Sequence, residues 1–146
     1  MRVVRQVSVV GSGSVHVAAA EEVGRLLAER GCVVVTGGLG EVMAAAHRGA
    51  KSARGTTLAI LPGETFADAN RWADHVVVTG IGHARNLAVA ASGEAVIGVG
   101  GSWGTIAELA FAMRLGRRVV ILEGGPHVEG IPRAATPCEA VAAALD

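Results

Sequence analysis

Several residue types are scarce in this chain, and each scarcity excludes a class of protein. No tyrosine occurs, and phenylalanine and tryptophan occur twice each, so the core has to be built from small aliphatic side chains. The two cysteines, Cys32 and Cys138, are far apart in sequence, which argues against a disulfide framework and favours reduced thiols in a cytoplasmic protein. No apolar run reaches the roughly 18 residues of a membrane-spanning helix, so we expect no membrane association.

The chain also has no net charge and a single lysine. Thirteen basic and thirteen acidic residues cancel, and this balance predicts no nucleic-acid partner. The only lysine, Lys51, lies inside a predicted helix, so the chain lacks a Walker phosphate loop. The five histidines lack the paired spacing of a zinc site, so no metal site is predicted, and most of them are expected in turns or at the surface.

Short β-branched runs alternate with helical patterns along most of the chain. Strands are predicted at residues 7–10, 32–36, 57–61, 75–79, 94–99 and 118–122, and helices at 15–30, 41–53, 84–92, 105–115 and 136–145. Residues 62–74 and 123–135 are predicted to be irregular. The alternation predicts an α/β fold: a doubly wound, mostly parallel sheet with helices on both faces, Rossmann-like, in a single domain over residues 1–146. The helix at 84–92 is apolar almost all round, which predicts burial against a partner subunit in a homodimer or homotetramer.

Three glycine clusters stand between a predicted strand and the helix that follows it. They are Gly11-Ser12-Gly13-Ser14, Thr36-Gly37-Gly38-Leu39-Gly40 and Gly100-Gly101-Ser102-Trp103-Gly104-Thr105. Glycine lets backbone amides approach an anion, and a helix N-terminus adds unpaired N–H groups and partial positive charge. Because ligands of doubly wound sheets bind at the carboxyl ends of the strands, the three turns predict a site for a small phosphate-bearing ligand. Any one of them could also serve only to make a turn.

An NAD(P) site fits these turns less well. The dinucleotide fingerprint requires a glycine at position 16, where His16 stands, and it requires an acid at the end of the second strand. Trp72 and Trp103 fall in strand-end loops, where each could stack on a ligand ring or anchor its loop.

The third cluster carries a family resemblance. Gly101-Ser102-Trp103-Gly104-Thr105-Ile106-Ala107-Glu108 resembles the PGGxGTxxE motif of the Lonely Guy (LOG) family, once labelled lysine decarboxylase-like. Thr36-Gly37-Gly38 with Gly40 and Met43, and His83-Ala84-Arg85-Asn86, resemble two further motifs of that family. Pro62-Gly63, Asp68-Ala69-Asn70 and Arg85-Asn86 are similar to the short subgroup that includes molybdenum cofactor carrier proteins.

The resemblance implies a nucleotide-binding fold and one of two functions. The first, slightly favoured, is a phosphoribohydrolase that cleaves the N-glycosidic bond of nucleoside 5′-monophosphates without a cofactor, with Arg85 and Glu108 as catalytic residues. The alternative is a non-catalytic carrier with the molybdenum cofactor as its ligand, which is favoured by Asn86, since LOG enzymes usually have lysine there. Phosphate binding is predicted for Gly11, Ser12, Gly13, Gly37, Gly38, Gly100, Gly101, Ser102, Gly104 and Thr105.

Glu108 also has a structural interpretation. Thr105 and Glu108 have the spacing of a capping box, which would place Glu108 in the first turn of a helix. At that position the helix dipole favours the ionised carboxylate.

Overall fold

The computed structural model describes residues 3–146, and its centre is one seven-stranded sheet in which all neighbouring strands are parallel. The strands are β1 (Gln6–Val10), β2 (Val33–Thr36), β3 (Thr57–Leu61), β4 (His75–Val78), β5 (Ala95–Gly98), β6 (Arg118–Leu122) and β7 (Arg133–Ala134). Their order across the sheet is β4-β3-β2-β1-β5-β6-β7. The predicted doubly wound parallel sheet is therefore confirmed.

Five helices cover the two faces of the sheet. They are α1 (Val17–Glu29), α2 (Gly40–Ser52), α3 (Arg85–Ser92), α4 (Trp103–Arg114) and α5 (Pro137–Leu145). Helices α1, α2 and α5 pack on one face, and α3 and α4 pack on the other, each against a cluster of buried aliphatic side chains. The inner strands are buried on both faces, which explains why they read as continuous apolar runs.

The structure differs from the sequence predictions at several places. Strand β7 lies within the stretch predicted to be irregular, because two residues are too few to show a periodic pattern. Helix α4 begins at Trp103, two residues before the predicted start. His47 is fully buried within α2, whereas most histidines were expected in turns or at the surface.

His47 is held in the core as a neutral ring. Burial lowers the pKa of His47 to about 4, and hydrogen bonding to Asn70 only partly opposes this. The Asn70 Nδ2 atom lies 3.2 Å from His47 Nδ1, and the Asn70 backbone N–H donates to the Gly38 carbonyl at 3.0 Å. Asn70 thus ties the loop after β3 to the glycine turn after β2.

Three structural findings bear on the expectations drawn from composition. Between residues 3 and 146, no helix is long and apolar enough to cross a membrane. Cys32 is buried and Cys138 is exposed, and both are free thiols. In α3, Val89 and Ala90 are buried against the sheet, whereas Leu87 is exposed. The burial of α3 by a partner subunit stays a prediction.

Helices α1 and α2 touch through their backbones, and this contact predicts a sharp intolerance to side chains. A Cβ atom at Gly49 would lie 1.8 Å from the Glu21 carbonyl oxygen. We expect Gly49→Ala to lower the free energy of unfolding by about 1–3 kcal/mol, because the helices must separate. Urea denaturation measures the change.

Gly104→Ala is the matched control for this substitution. A Cβ atom at Gly104, within α4, would meet no neighbouring atom within 4 Å. We expect this variant to be neutral or to gain up to about 1 kcal/mol from the higher helix propensity of alanine. Equal effects of Gly49→Ala and Gly104→Ala would contradict the proposed helix contact.

Candidate functional site

The sheet order brings the three glycine turns together. They follow β2, β1 and β5, which are neighbours in the sheet, and the chain reverses its direction of winding between β1 and β5. Helix α1 leaves β1 over one face and α4 leaves β5 over the other, so a crevice opens between the first and third turns. The Ser12 and Ser102 hydroxyls, 3.3 Å apart, link those two turns.

A cleft of about 150 Å³ lies at this edge of the sheet. Its lining consists of Gly11, Ser12, Met43, His83, Arg85, Asn86, Ser102, Gly104, Thr105 and Glu108. The structure therefore brings together parts of the first and third turns with both Arg85 and Glu108. Of the residues predicted to bind phosphate, Gly13, Gly37, Gly38, Gly100 and Gly101 do not line the cleft itself.

Met43, His83 and Asn86 line the cleft without having been predicted as site residues. Met43 lies in the first turn of α2, and the other two lie just before or at the start of α3. The sequence could have indicated them, because all three belong to the motifs that resemble those of the LOG family and lie near the start of a helix.

Gly37 contributes to the site through Arg85. A Cβ atom at Gly37 would lie 2.9 Å from both Cζ and Nη1 of Arg85. The guanidinium group therefore rests against bare backbone at the end of β2. A side chain at position 37 would displace the guanidinium from this position.

Arg85 is almost fully buried, with 8% of its surface exposed. Its Nη1 atom donates a hydrogen bond to Asn86 Oδ1, and its Nε atom is buried without a hydrogen-bond partner. Burial lowers the pKa of Arg85, and the nearby Glu108 opposes this shift. Because an arginine remains protonated under such shifts, the site holds a buried cation with an unused donor.

Glu108 is buried beside Arg85, with 4% of its surface exposed. Burial raises the pKa of Glu108 to about 7, although the positive charge of Arg85 opposes the shift. No ion pair among residues 3–146 includes Arg85 or Glu108, so both side chains face the cleft without a direct contact between their charged groups.

The structure does not support the capping interpretation of Glu108, and burial opposes the ionised form. Because α4 starts at Trp103, Glu108 lies in its second turn, beyond the strongest part of the helix dipole. The residue preceding the helix is Ser102, and its side chain makes no capping hydrogen bond. Desolvation of the buried carboxyl group is the larger effect, and it favours the neutral acid.

The first two turns do not form a dinucleotide site of the usual kind. The second strand ends without an acid, and Thr36 Oγ1 instead accepts a hydrogen bond from the Gly38 N–H at 3.0 Å. The His16 ring packs against Gly100 and Gly124, where added Cβ atoms would lie 2.8 and 2.6 Å from it. His16 thus fills the space at the start of α1.

The two tryptophans differ in their surroundings. Trp72 anchors its loop, since its carbonyl accepts a hydrogen bond from Thr57 Oγ1 at 2.6 Å and the Arg71 guanidinium lies 4.8 Å from its ring centre. Trp103, at the start of α4, is 84% exposed. Trp72 is partly buried, so Trp103 is the more accessible of the two.

The part of the chain that the structure describes holds no group of three or more His, Cys, Asp or Glu side chains placed to bind a metal ion. The polar groups that line the cleft are instead backbone amides, three hydroxyls, the Arg85 guanidinium, the His83 imidazole, the Asn86 amide and the Glu108 carboxyl. This set of donors suits an anion.

Comparison with known proteins gives similar chains of the same size. An uncharacterized protein of Archaeoglobus fulgidus is 43% identical over 139 residues, which are 93% of this chain and 91% of that one. The molybdenum cofactor binding protein of Rippkaea orientalis is 28% identical, with a TM-score of 0.90 over 97% of this chain and 96% of that one. A structure of the molybdenum cofactor carrier protein of Chlamydomonas reinhardtii is 32% identical, with a TM-score of 0.85 over 95% and 94%.

Two further structures overturn the exclusion of nucleic-acid partners. DNA processing protein A of Streptococcus pneumoniae is 22% identical, with a TM-score of 0.75 over 95% of this chain and 61% of that one. The Helicobacter pylori protein is 19% identical, with a TM-score of 0.63 over 88% and 68%, and is described by its single-stranded DNA binding mode. These likenesses show the fold alone. The prediction of no nucleic-acid partner, which was drawn from the balanced charge, is nevertheless wrong. Local cations bind the phosphates of a nucleic-acid backbone whatever the total charge of the protein.

The family follows from a match along nearly the whole chain. The model of the SLOG cluster4 family matches residues 4–142. That match spans all seven strands and the three glycine turns, and it confirms the LOG-like resemblance of the motifs. The chain belongs to the SLOG cluster4 family.

Proposed function

We propose that this protein binds the molybdenum cofactor as a carrier and holds the cofactor's phosphate in the cleft at the ends of β2, β1 and β5. The proposal depends above all on the cation of Arg85, which is buried, unpaired with Glu108 and placed beside three turns of bare backbone. A buried cation with an unpartnered N–H is costly unless an anion completes it. A terminal phosphate supplies both the charge and the acceptors.

The lining of the cleft fits a phosphate in its chemistry as well as its charge. The turns after β1 and β5 lead into α1 and α4, whose N-terminal N–H groups point toward the edge of the sheet. Ser12, Ser102 and Thr105 add hydroxyl groups that donate hydrogen bonds to phosphate oxygens. The metal of the cofactor is cargo in this proposal, and no side chain is assigned to it.

The similar solved proteins support the cofactor as the ligand. Those of Rippkaea orientalis and Chlamydomonas reinhardtii are named for binding or carrying the molybdenum cofactor, and each aligns with nearly the whole of this chain. LOG enzymes usually have a lysine where this chain has Asn86, so a positive charge that a LOG-like hydrolase is expected to have is absent here. Both points favour carriage over cleavage.

Binding of the cofactor can be tested with purified protein. The protein is incubated anaerobically with molybdenum cofactor released from a molybdoenzyme, separated by gel filtration and assayed for pterin fluorescence after oxidation. We expect pterin to co-elute with the protein and the midpoint of thermal unfolding to rise, since the ligand binds the folded state. Stabilisation by AMP without stabilisation by the cofactor would contradict the proposal.

The second candidate is a nucleoside 5′-monophosphate phosphoribohydrolase, favoured by Glu108 beside Arg85. A carboxyl group whose pKa is raised to about 7 can exchange a proton near neutral pH, and a fixed carboxylate stabilises an oxocarbenium-like transition state. Of the described residues that line the cleft, however, Glu108 alone is acidic. Glycoside hydrolysis ordinarily divides acid, base and nucleophile roles between two carboxyl groups.

Cleavage separates the two candidates. We expect no free base when the protein is incubated with a panel of nucleoside 5′-monophosphates and the mixture is resolved by chromatography. Release of base by the wild type, together with its loss in Glu108→Gln and its retention in Arg118→Gln at the opposite edge of the sheet, would establish the hydrolase instead.

A further inference from the structure

Asn86 is in contact with the functional side chain next to it. It is the second residue of α3, it is 7% exposed, and it lines the cleft. Its Oδ1 atom accepts a hydrogen bond from Nη1 of Arg85. An asparagine buried at this position therefore has a defined partner, which is the guanidinium group of the preceding residue.

This hydrogen bond determines which part of the guanidinium group remains available. Nη1 donates to Asn86, while Nε is buried without a partner and Nη2 donates to none of residues 3–146. The Nε and Nη2 hydrogens lie on one edge of the planar group and point in parallel, and this edge matches two oxygens of a phosphate. Gly37, against which Cζ and Nη1 rest, limits movement of the plane on the other side.

Resting on the phosphate site proposed above, we propose that Asn86 is a positioning residue that fixes the rotation of the Arg85 guanidinium and thereby selects a terminal phosphate monoester over a diester. With Nη1 held by Asn86, the Nε and Nη2 edge binds two oxygens of the ligand. The third oxygen is left for the turn that carries Gly104 and Thr105. A monoester has three such oxygens and a diester has two, so a diester loses one set of contacts.

The test compares phenyl phosphate with methyl phenyl phosphate, which share the ring and differ in the ester. Dissociation constants are measured by calorimetry for the wild type, Asn86→Ala and Asn86→Asp, with Arg118→Gln as the control. We expect Asn86→Ala to weaken the monoester about tenfold and the diester only about twofold, because only the monoester contacts the Arg85 edge and the turn together and so depends on the fixed rotation. The ratio of the two constants then falls about fivefold.

The aspartate variant separates positioning from charge. Asn86→Asp keeps an acceptor for Nη1 and adds a negative charge. At pH 5, where both esters carry about one negative charge, both should bind more weakly while their ratio stays within about twofold of the wild type. A general structural defect would change the two constants without this pattern. A ratio unchanged in Asn86→Ala, or lost equally in both variants, would overturn the positioning role.

A second measurement keeps the proposal testable if Asn86→Ala does not fold. In the wild type labelled with ¹⁵N, the Arg85 Nε–H signal should shift when phenyl phosphate is added, because this buried donor gains its acceptor. A wild type that binds phenyl phosphate without this shift would overturn the role of the Nε and Nη2 edge. A wild type that binds neither ester would remove the phosphate site and the proposed function with it.

Discussion

Replacing Arg85 with glutamine is expected to weaken the binding of phosphate ligands about 100-fold while the protein remains folded. Among residues 3–146, Arg85 is the only arginine that lines the cleft, and it forms no ion pair with Glu108. Hydrogen bonds between a buried guanidinium and a phosphate are charge-assisted, and one such interaction contributes about 1.5–3 kcal/mol. Calorimetry with phenyl phosphate and with the molybdenum cofactor measures the loss.

Two matched variants identify the cause of that loss. Arg118→Gln removes the same charge from an exposed residue at the start of β6, the opposite edge of the sheet, and should leave binding unchanged. Arg85→Lys keeps the charge but loses the planar pair of donors, and an intermediate loss of about tenfold is expected. If Arg85→Gln bound phosphate within twofold of the wild type, the cleft would not be the phosphate site.

The position of the site could be predicted from the sequence because it depends on topology. Glycine clusters after β1, β2 and β5 meet at one edge in any parallel sheet with helices on both faces, and the structure places those three strands side by side. The cap of α5 also depends on neighbouring residues only: Thr136 Oγ1 accepts a hydrogen bond from the Glu139 N–H, and the Glu139 carboxylate accepts one from the Ala135 N–H. Such features need only neighbours in sequence or the regular order of strands.

The chemistry within the site could not be predicted, because it depends on contacts between distant segments. Nothing in the sequence indicates that the Arg85 guanidinium rests on Gly37, which precedes it by 48 residues, since that contact exists only after the sheet has formed. The protonation of Glu108 could not be predicted for the same reason. Local spacing indicated a cap and an ionised group, whereas tertiary burial raises its pKa.

The second large effect concerns stability, and it follows from Glu108. We expect Glu108→Gln to raise the free energy of unfolding by about 3 kcal/mol more at pH 8 than at pH 5, measured by urea denaturation in buffers free of phosphate. Glutamine has nearly the same shape as protonated glutamate, so the two proteins differ chiefly in whether the side chain can ionise.

The sign follows from proton binding by the folded and unfolded states. The pKa of Glu108 is about 7 in the folded state and 4.5 in the unfolded chain, so between these pH values the unfolded chain has released a proton that the folded protein retains. The contribution of Glu108 to stability is therefore fully present below pH 4.5 and is lost as the pH rises through 7. A shift of this size corresponds to about 3 kcal/mol, since each pKa unit is about 1.4 kcal/mol.

The pH dependence caused by Glu108 cannot be measured from the wild type alone, because His47 contributes a pH dependence of the opposite sign. His47, with its pKa lowered to about 4, is neutral in the folded protein, so its contribution to stability falls as the pH drops below 6.5. Between pH 4.5 and 6.5 its dependence on pH is opposite to that of Glu108, and the two largely cancel. Glu108→Gln removes one of them, so its stability should fall on acidification more steeply than that of the wild type. Parallel pH profiles for the two proteins would show that Glu108 is ionised in the folded state, and that its neighbours rather than its burial set its charge.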